Sequence, residues 1–361
     1  RGLNSYRTAR LEPTDLYINL ELTHGCNLRC RTCHVSAGDV EPVSLDRDRL
    51  PRVLSSVLSM GRTHRLGFTM TGGEPTLVPF LPEVVAAVRR EPAVRVVSVV
   101  TNGTLLDESL MLRLGDAGLD WVAVSLDGGT AGTNDCIRGE GCFKAAVEAL
   151  VTALERTNLY VSSSLTVTRL NLTEVETYVR TVYELGACQA HVNPFIPVGR
   201  GSRNEDWLAI TPSEQVQLME KLRELELEYL PDGFIVSFGE PFYGLTDPVE
   251  PFGEAKYIEG KPACGIGVKA VTVSPVGDVL PCSYMRDMVV GNVLDQTLAD
   301  IWSGQAMSRL RDDSLLKGRC GSCDLRRYCR GCRARARLLS GDLHGEDPWC
   351  PRVLSAQRRV G

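Results

Sequence analysis

The chain has little of what would carry it to a membrane or to a nucleic acid. No apolar run approaches the roughly 18 residues needed to span a bilayer, and the opening stretch RGLNSYRTARLEPTDLY lacks the apolar core of a secretory signal. These absences lead us to expect a cytoplasmic protein with no membrane partner. Positive charge is not in excess: 40 Lys and Arg against 45 Asp and Glu leave a formal net charge of −5. Duplex nucleic acid therefore has no general electrostatic reason to bind. Aromatic residues make up only 6%, histidines number five, and no internal repeat or low-complexity tract occurs, which excludes solenoid and fibrous architectures. The first residue is Arg1 rather than Met, so further sequence is expected upstream.

What is present in excess is cysteine. The 361 residues carry 13 of them, with an ordinary 43% hydrophobic and 24% charged composition. A length well over twice the roughly 150-residue domain prior points to one large domain and a smaller one. A disulfide scaffold is disfavoured because the chain is long, the count is odd and no secretory mark exists. Reduced, metal-binding thiols fit better. Cys26, Cys30 and Cys33 cluster near the start. Cys264, Cys282, Cys320, Cys323, Cys329, Cys332 and Cys350 fall in the last hundred residues, with Cys136, Cys142 and Cys188 scattered between.

The intervening sequence alternates between two periodicities. Apolar, β-branched segments at 15–22, 65–70, 94–100, 120–126, 160–167 and 189–195 read as strands, and helical patterns at 46–60, 80–90, 106–117, 143–156, 173–186 and 212–228 separate them. The last helix opens on Thr211-Pro212 with Glu214 three residues after the cap. Such alternation predicts a parallel sheet with helical crossovers, doubly wound or closing partly into a barrel, with ligands at the C-terminal strand ends. Residues 230–262, rich in Gly and Pro, read as a connector, and VKAVTVSPVGDVLPC reads as a hairpin turning at 275–278 with Cys282 at its end. The division expected is 1–229, connector, and 263–361.

HGCNLRCRTCH gives C-x3-C-x2-C directly after the first strand. Thiolates so closely spaced can converge on one soft-metal centre, either a [4Fe–4S] cubane with one iron left open or a zinc completed by His24 or His34. At the end of the second strand stands Thr71-Gly72-Gly73-Glu74-Pro75, where glycines allow backbone to approach a ligand and Glu74 offers a carboxylate to an amine.

Together these residues resemble the radical S-adenosylmethionine (SAM) superfamily, which implies a partial (β/α)6 TIM-type barrel over most of the first 200 residues. In that family the open iron chelates the amino and carboxylate groups of SAM, and the loop of Gly72, Gly73 and Glu74 holds the amino group. The resemblance extends to Asn102 after the third strand, to Ser125 and Asp127 after the fourth as ribose contacts, and to Arg138 as partner of the methionine carboxylate. Asn134, Cys142 and Thr32 depart from the family's usual His, Ser and aromatic residue.

The C-terminal cysteines, with Cys320-x2-Cys323-x5-Cys329-x2-Cys332, are similar to the SPASM extension of this superfamily. That likeness implies a smaller α+β cysteine-rich domain holding two auxiliary [4Fe–4S] clusters. Cys264, Cys282 and Cys332 would bind auxiliary cluster I, with an open or non-cysteine position, and Cys320, Cys323, Cys329 and Cys350 would bind auxiliary cluster II. The arginines at 326, 327, 330, 333, 335 and 337 could raise a cluster's potential, receive an acidic partner, or form a solvated helix face.

Cys136, Cys142 and Cys188 read most simply as small buried hydrophobes. Cys142, on the loop after the fourth strand, is also a candidate hydrogen donor in an epimerase. His191, on the sixth strand, is a candidate base facing the barrel interior. The resemblance implies an electron donor of the ferredoxin or flavodoxin type. It also implies hydrogen abstraction from an unactivated C–H bond, with a ribosomal peptide leading as substrate. A carbohydrate-type natural product, a tetrapyrrole side chain and a non-catalytic electron carrier remain as alternatives.

Overall fold

The computed structural model describes residues 14–39, 42–243 and 263–357. The connector expected at 230–262 lies partly outside these residues, from 244 onward. Six strands alternate with helices along the first part of the chain: β1 (Leu16–Thr23), α1 (Leu50–Leu58), β2 (Leu66–Gly72), α2 (Leu81–Arg89), β3 (Val94–Thr101), α3 (Glu108–Asp116), β4 (Trp121–Ser125), then α4 (Ala131–Arg138) and α5 (Cys142–Arg156), β5 (Tyr160–Val167), α6 (Val175–Leu185) and β6 (Gln189–Pro194). A single turn, α7 (Glu205–Leu208), precedes α8 (Pro212–Tyr229). The capping box forms as expected on α8: Thr211 Oγ1 accepts from the Glu214 N–H, and the Glu214 carboxylate accepts from the Thr211 N–H.

Strands β1 to β6 pair in parallel and in chain order, so each crossover advances the sheet by one strand in one direction. This winding keeps the helices on one face and curls the sheet into a partial barrel, which resolves the doubly wound alternative.

Two differences from the sequence reading concern the edges. The segment read as the start of a connector contains β7 (Ile235–Phe238), which pairs in parallel with β6 and extends the sheet. Its four residues alternate too briefly between Gly- and Pro-rich flanks to stand out by periodicity. At the opposite edge β8 (Ala270–Val273) pairs in parallel with β1, and β9 (Asp278–Leu280) and β10 (Gly291–Asn292) follow antiparallel. The expected hairpin is present, and it joins the cysteine-rich region to the barrel in one ten-stranded sheet, order β10-β9-β8-β1-β2-β3-β4-β5-β6-β7.

Strand side chains alternate between the two faces of this sheet. The outer set, including Leu16, Ile18, Leu20, Phe68, Val97, Val124 and Val192, is fully buried against the helices. The inner set is different in kind. Register places Asn19, Thr69, Ser98, Ser125, Ser164 and His191 on the concave face. A TIM-type barrel is ordinarily filled by branched apolar side chains. Here the interior is hydrogen-bonding and partly open.

The C-terminal region adds α9 (Leu298–Ser303), α10 (Gln305–Arg311), a single turn α11 (Gly318–Gly321), α12 (Arg333–Ser340) and α13 (Pro351–Gln357). Among the described residues, no helix is long and apolar enough to cross a membrane.

Candidate functional site

The loops that follow β1, β2, β3 and β4 meet at one rim. Gly73 N–H donates to the Thr23 carbonyl at 2.6 Å and Glu74 N–H to the Gly25 carbonyl at 2.9 Å, closing the end of β2 onto the entrance of the cysteine loop. This contact explains both glycines. A Cβ on Gly72, whose φ is +135°, would lie 2.2 Å from the Thr23 oxygen, and one on Gly73 would lie 2.1 Å from the Gly25 oxygen. The sequence suggested approach to a ligand; the structure shows approach to neighbouring backbone.

Glu74 is almost fully buried. Its Oε1 accepts from Thr76 N–H, Thr76 Oγ1 and Thr101 Oγ1, and its Oε2 accepts from Asn102 N–H at 2.7 Å. Burial is the larger influence and raises its pKa against the lowering effect of these donors. Glu74, expected to offer a carboxylate to an amine, also organises the rim: its Oε1 accepts three hydrogen bonds and its Oε2 one. Asn102 continues the web, with Nδ2 donating to Asn27 Oδ1 at 2.9 Å and lying 4.0 Å from Cys26 Sγ.

The other side of the cysteine loop rests on α4. Arg31 N–H donates to the Ile137 carbonyl, and Cys30 Sγ lies 4.0 Å from the Arg138 carbonyl. Asp127, expected as a ribose contact, is completely buried and turns the other way. Its Oδ1 accepts from Thr166 N–H at 2.7 Å and its Oδ2 pairs with Arg138 Nε at 2.8 Å. Asp127 thus orients Arg138, whose positive charge acts on Cys30. Ser125, at the end of β4, sits half-buried on the concave face in register with Ser164.

All three N-terminal thiols are half-buried. Leu28 N–H points at Cys26 Sγ and Ala37 N–H at Cys33 Sγ, both at 3.4 Å. Burial pushes the Cys30 thiol up to about 12, with Arg138 opposing and Asp127 and the other two thiols reinforcing. A thiol so raised gives up its proton most readily to a metal centre, which is the donor chemistry an iron–sulfur cluster requires.

One residue that sequence reasoning missed fastens this loop. Arg200, in the turn after β6, donates from Nη1 to the Cys30 carbonyl at 2.9 Å and from Nη2 to the Ala37 carbonyl at 2.6 Å, and it pairs with Asp39 at 2.7 Å. A lone arginine in a glycine-rich turn carries no signal of this role in sequence.

The C-terminal thiols form two groups. Cys320, Cys323, Cys329 and Cys350 line one cavity together with Arg319, Arg326, Arg330 and Arg352. Asp347 N–H and Arg333 Nη2 point at Cys320 Sγ at 3.4 and 3.6 Å, Arg352 Nη1 at Cys323 Sγ at 3.4 Å, and Gly331 N–H at Cys329 Sγ at 3.4 Å. Thiols walling a cavity under inward N–H donors suit a polynuclear cluster. Among the described residues, no three His, Cys, Asp or Glu side chains close on a single-ion site. Cys264 is an electrostatic neighbour of both Cys282 and Cys332, and Tyr284 is a neighbour of the last two.

The arginine run is mostly not a solvated face. Arg330, Arg333 and Arg335 are buried, whereas Arg326 and Arg327 are exposed. Arg335 pairs with both Glu240 and Asp347, at 2.9 and 2.6 Å, and stacks 5.2 Å from the Trp349 ring.

Cys142, also the candidate hydrogen donor, is buried as its simplest reading expected, at the start of α5 behind the Arg138–Gly139 turn. Cys136 is exposed rather than buried, whereas Cys188 is buried as expected. His191 does face the barrel interior, yet both ring nitrogens are engaged, Nδ1 with Ser237 Oγ at 2.8 Å and Nε2 with Asn193 Oδ1 at 3.0 Å. Asn193 Nδ2 donates to Ser164 Oγ, and Gln189 Nε2 to Ser237 Oγ, so the ring is one link in a chain of neutral groups. Burial lowers its pKa, opposed by the bond to Asn193. A free base at this position requires that chain to break.

Residues 20–182 match the model of the radical SAM superfamily, and residues 264–333 match that of the SPASM iron–sulfur cluster-binding domain. The chain is 32% identical over 342 residues to the AdoMet-dependent heme synthase of Methanosarcina barkeri, covering 91% of this chain and 94% of the relative. It is 29% identical over 336 residues to the PqqA peptide cyclase of Gluconobacter oxydans, covering 91% and 88%. The solved structure of native anSMEcpe with bound AdoMet superposes with a TM-score of 0.73 at 19% identity, covering 96% of this chain and 100% of that one.

Proposed function

Because the chain belongs to the radical SAM superfamily and carries a SPASM iron–sulfur cluster-binding domain, we propose that it is an oxidoreductase that abstracts hydrogen from an unactivated C–H bond of a ribosomal peptide, leading to oxidation or cross-linking. The observation that carries the reading is the meeting at one rim of Cys26, Cys30 and Cys33 with the Glu74 loop, Asn102 and Arg138.

Cys26, Cys30 and Cys33 hold the first cluster in this reading. Cys320, Cys323, Cys329 and Cys350 hold one auxiliary cluster, and Cys264, Cys282 and Cys332 a second. A [4Fe–4S] cluster held by Cys26, Cys30 and Cys33 and reduced by a ferredoxin- or flavodoxin-type donor would supply the reductive cleavage of SAM that yields a 5′-deoxyadenosyl radical. The protein's part is positioning. Glu74 Oε2 and the backbone of Gly72 and Gly73 face the amino group, Arg138 faces the carboxylate with its tilt fixed by Asp127, and Ser125 stands where the nucleoside enters the barrel.

The concave face favours a peptide over the other substrates. Its groups at Asn19, Ser98, Ser164, Gln189, Asn193 and Ser237 are neutral donors and acceptors that suit amides and hydroxyls. The likeness to the PqqA peptide cyclase supports the same choice. A tetrapyrrole is the second reading, favoured by the 32% identity to the AdoMet-dependent heme synthase. Carboxylate side chains brought into that interior would need cationic partners, and the charged inner position on β1, Glu21, is itself a carboxylate already paired with Arg286. The buried setting of Cys142 counts against the epimerase alternative.

The test is anaerobic reconstitution with iron and sulfide, then incubation with SAM and dithionite. Formation of 5′-deoxyadenosine is expected; its absence from fully loaded protein leaves a non-catalytic electron carrier. Precursor peptides, porphyrins and sugars, scored by product mass, then decide the substrate.

A further inference from the structure

The loop carrying Cys26, Cys30 and Cys33 and the loop carrying Cys282 come from opposite ends of the chain, yet they are fastened to each other at two points. Arg286 grips Glu21 bidentately, Nη1 to Oε1 at 2.5 Å and Nη2 to Oε2 at 2.9 Å, and His24 Nε2 lies 3.0 Å from the same Oε2. Beside this clamp the ring of His34, the residue next to Cys33, lies 5.2 Å from the ring of Tyr284 at an interplanar angle of 57°. Tyr284 stands two residues beyond Cys282 and is an electrostatic neighbour of Cys282 and Cys332. The order in space is therefore Cys33, imidazole, phenol, Cys282 with Cys332.

We propose that His34 and Tyr284 form the electron bridge between the centre held by Cys26, Cys30 and Cys33 and the one held by Cys264, Cys282 and Cys332, a proposal that rests on the cluster assignment made above. Two π systems in contact provide a better tunnelling path than the saturated side chains or solvent that would otherwise fill the gap. One electron crosses per event: the donor centre is oxidised by one and the acceptor reduced by one. Neither ring changes charge, so no proton needs a way out of this half-buried junction. The Glu21–Arg286 clamp serves as the positioning element, fixing the two loops so that the rings stay in contact while substrate enters and leaves.

The consequence lies in the balance of the whole reaction. Cleaving SAM consumes one electron, and oxidising a substrate radical releases one. A bridge between the two trios returns the second electron to the place where the first was used, so a reduced enzyme completes more turnovers than the reducing equivalents supplied.

The test uses the full chain, anaerobically reconstituted, as wild type, Tyr284→Leu, Tyr284→Phe and His34→Leu. Iron and labile sulfide are counted first. Each loaded protein is then given one electron equivalent by flash photoreduction, and freeze-quench EPR follows its distribution between centres. Both leucine variants are expected to slow equilibration by more than an order of magnitude, with Tyr284→Phe staying near wild type because the ring remains. Leucine variants with full cluster content that equilibrate at the wild-type rate overturn the bridge. Should Tyr284→Leu fail to load, His34→Leu decides. A wild-type chain that binds no iron and sulfide overturns the cluster assignment itself, a result distinct from loss of the bridge.

Discussion

Arg335 and Glu240 meet fork to fork across 95 residues of chain, Nη1 to Oε2 and Nη2 to Oε1, both at 2.9 Å and both almost wholly removed from solvent. Asp347 takes the remaining edge of the guanidinium, accepting from Nε at 2.7 Å, and its Oδ2 also accepts from the Cys332 N–H. Two carboxylates and one guanidinium thus lock the segment after β7 to the cysteine-rich region.

Removing the cation leaves two buried carboxylates unpaired. Arg335→Met should cost about 3–5 kcal/mol of stability, read as a lowered midpoint in chemical denaturation. Adding Glu240→Gln and Asp347→Asn should recover much of that loss. A single mutant as stable as wild type would show that the triad does not fasten the two regions.

Arg200 secures the first cysteine loop through two carbonyls and Asp39. Arg200→Ala strands the Ala37 carbonyl, at about 1–3 kcal/mol where no water reaches it, while the Cys30 carbonyl loses one of its two donors and keeps the Cys33 N–H. We expect lower iron content at the N-terminal site and a matching fall in 5′-deoxyadenosine, with the auxiliary sites still loaded. Mössbauer spectroscopy of the reconstituted variant separates the sites.

In the folded chain His191 is held neutral, because burial depresses its pKa below the ordinary 6.5. The sign follows from linkage: below pH 6.5 the unfolded chain takes up a proton that the folded chain refuses, so this residue lowers stability as pH falls until its own folded pKa is reached. Denaturation midpoints measured between pH 8 and pH 5 should decline, and His191→Gln should flatten the decline. Equal slopes for the two proteins would place the cause elsewhere.

Arg333 and Arg352 direct N–H groups at Cys320 and Cys323. Donors to ligating sulfur favour the reduced state, so Arg333→Met should shift the midpoint potential of the centre at these thiols downward in an EPR redox titration. Arg337, paired with Asp287 near the surface, serves as the control, and Arg337→Met should leave the potential unchanged.

Much of this organisation was legible in the sequence because it rests on local signals. Strand and helix periods located β1 to β6 and α8 closely, and the resemblance that the C-terminal cysteines carry grouped Cys320, Cys323, Cys329 and Cys350, which line one cavity. What escaped depends on distant partners. β7 is four residues long and exists because β6 offers it an edge. Arg200, Arg286 and Tyr284 draw their roles from residues more than 150 positions away, and nothing in their own neighbourhoods announces that. Asp127 was visible as a loop carboxylate, but its direction was not: only the fold sets it toward Arg138 and Thr166.

The pairing of β8 with β1 also sets an order of assembly. Asn19 and Thr272, hydrogen-bonded across that junction, are 253 residues apart, so at 5–20 residues per second a ribosome makes the second roughly 13–50 seconds after the first. Until then the edge of β1 that leads into the first cysteine loop stands without its neighbour. Nascent chains therefore pass through an interval in which the N-terminal thiols are exposed on an unfinished sheet, accessible to maturation factors and to oxygen alike, and emergence of the last hundred residues ends it.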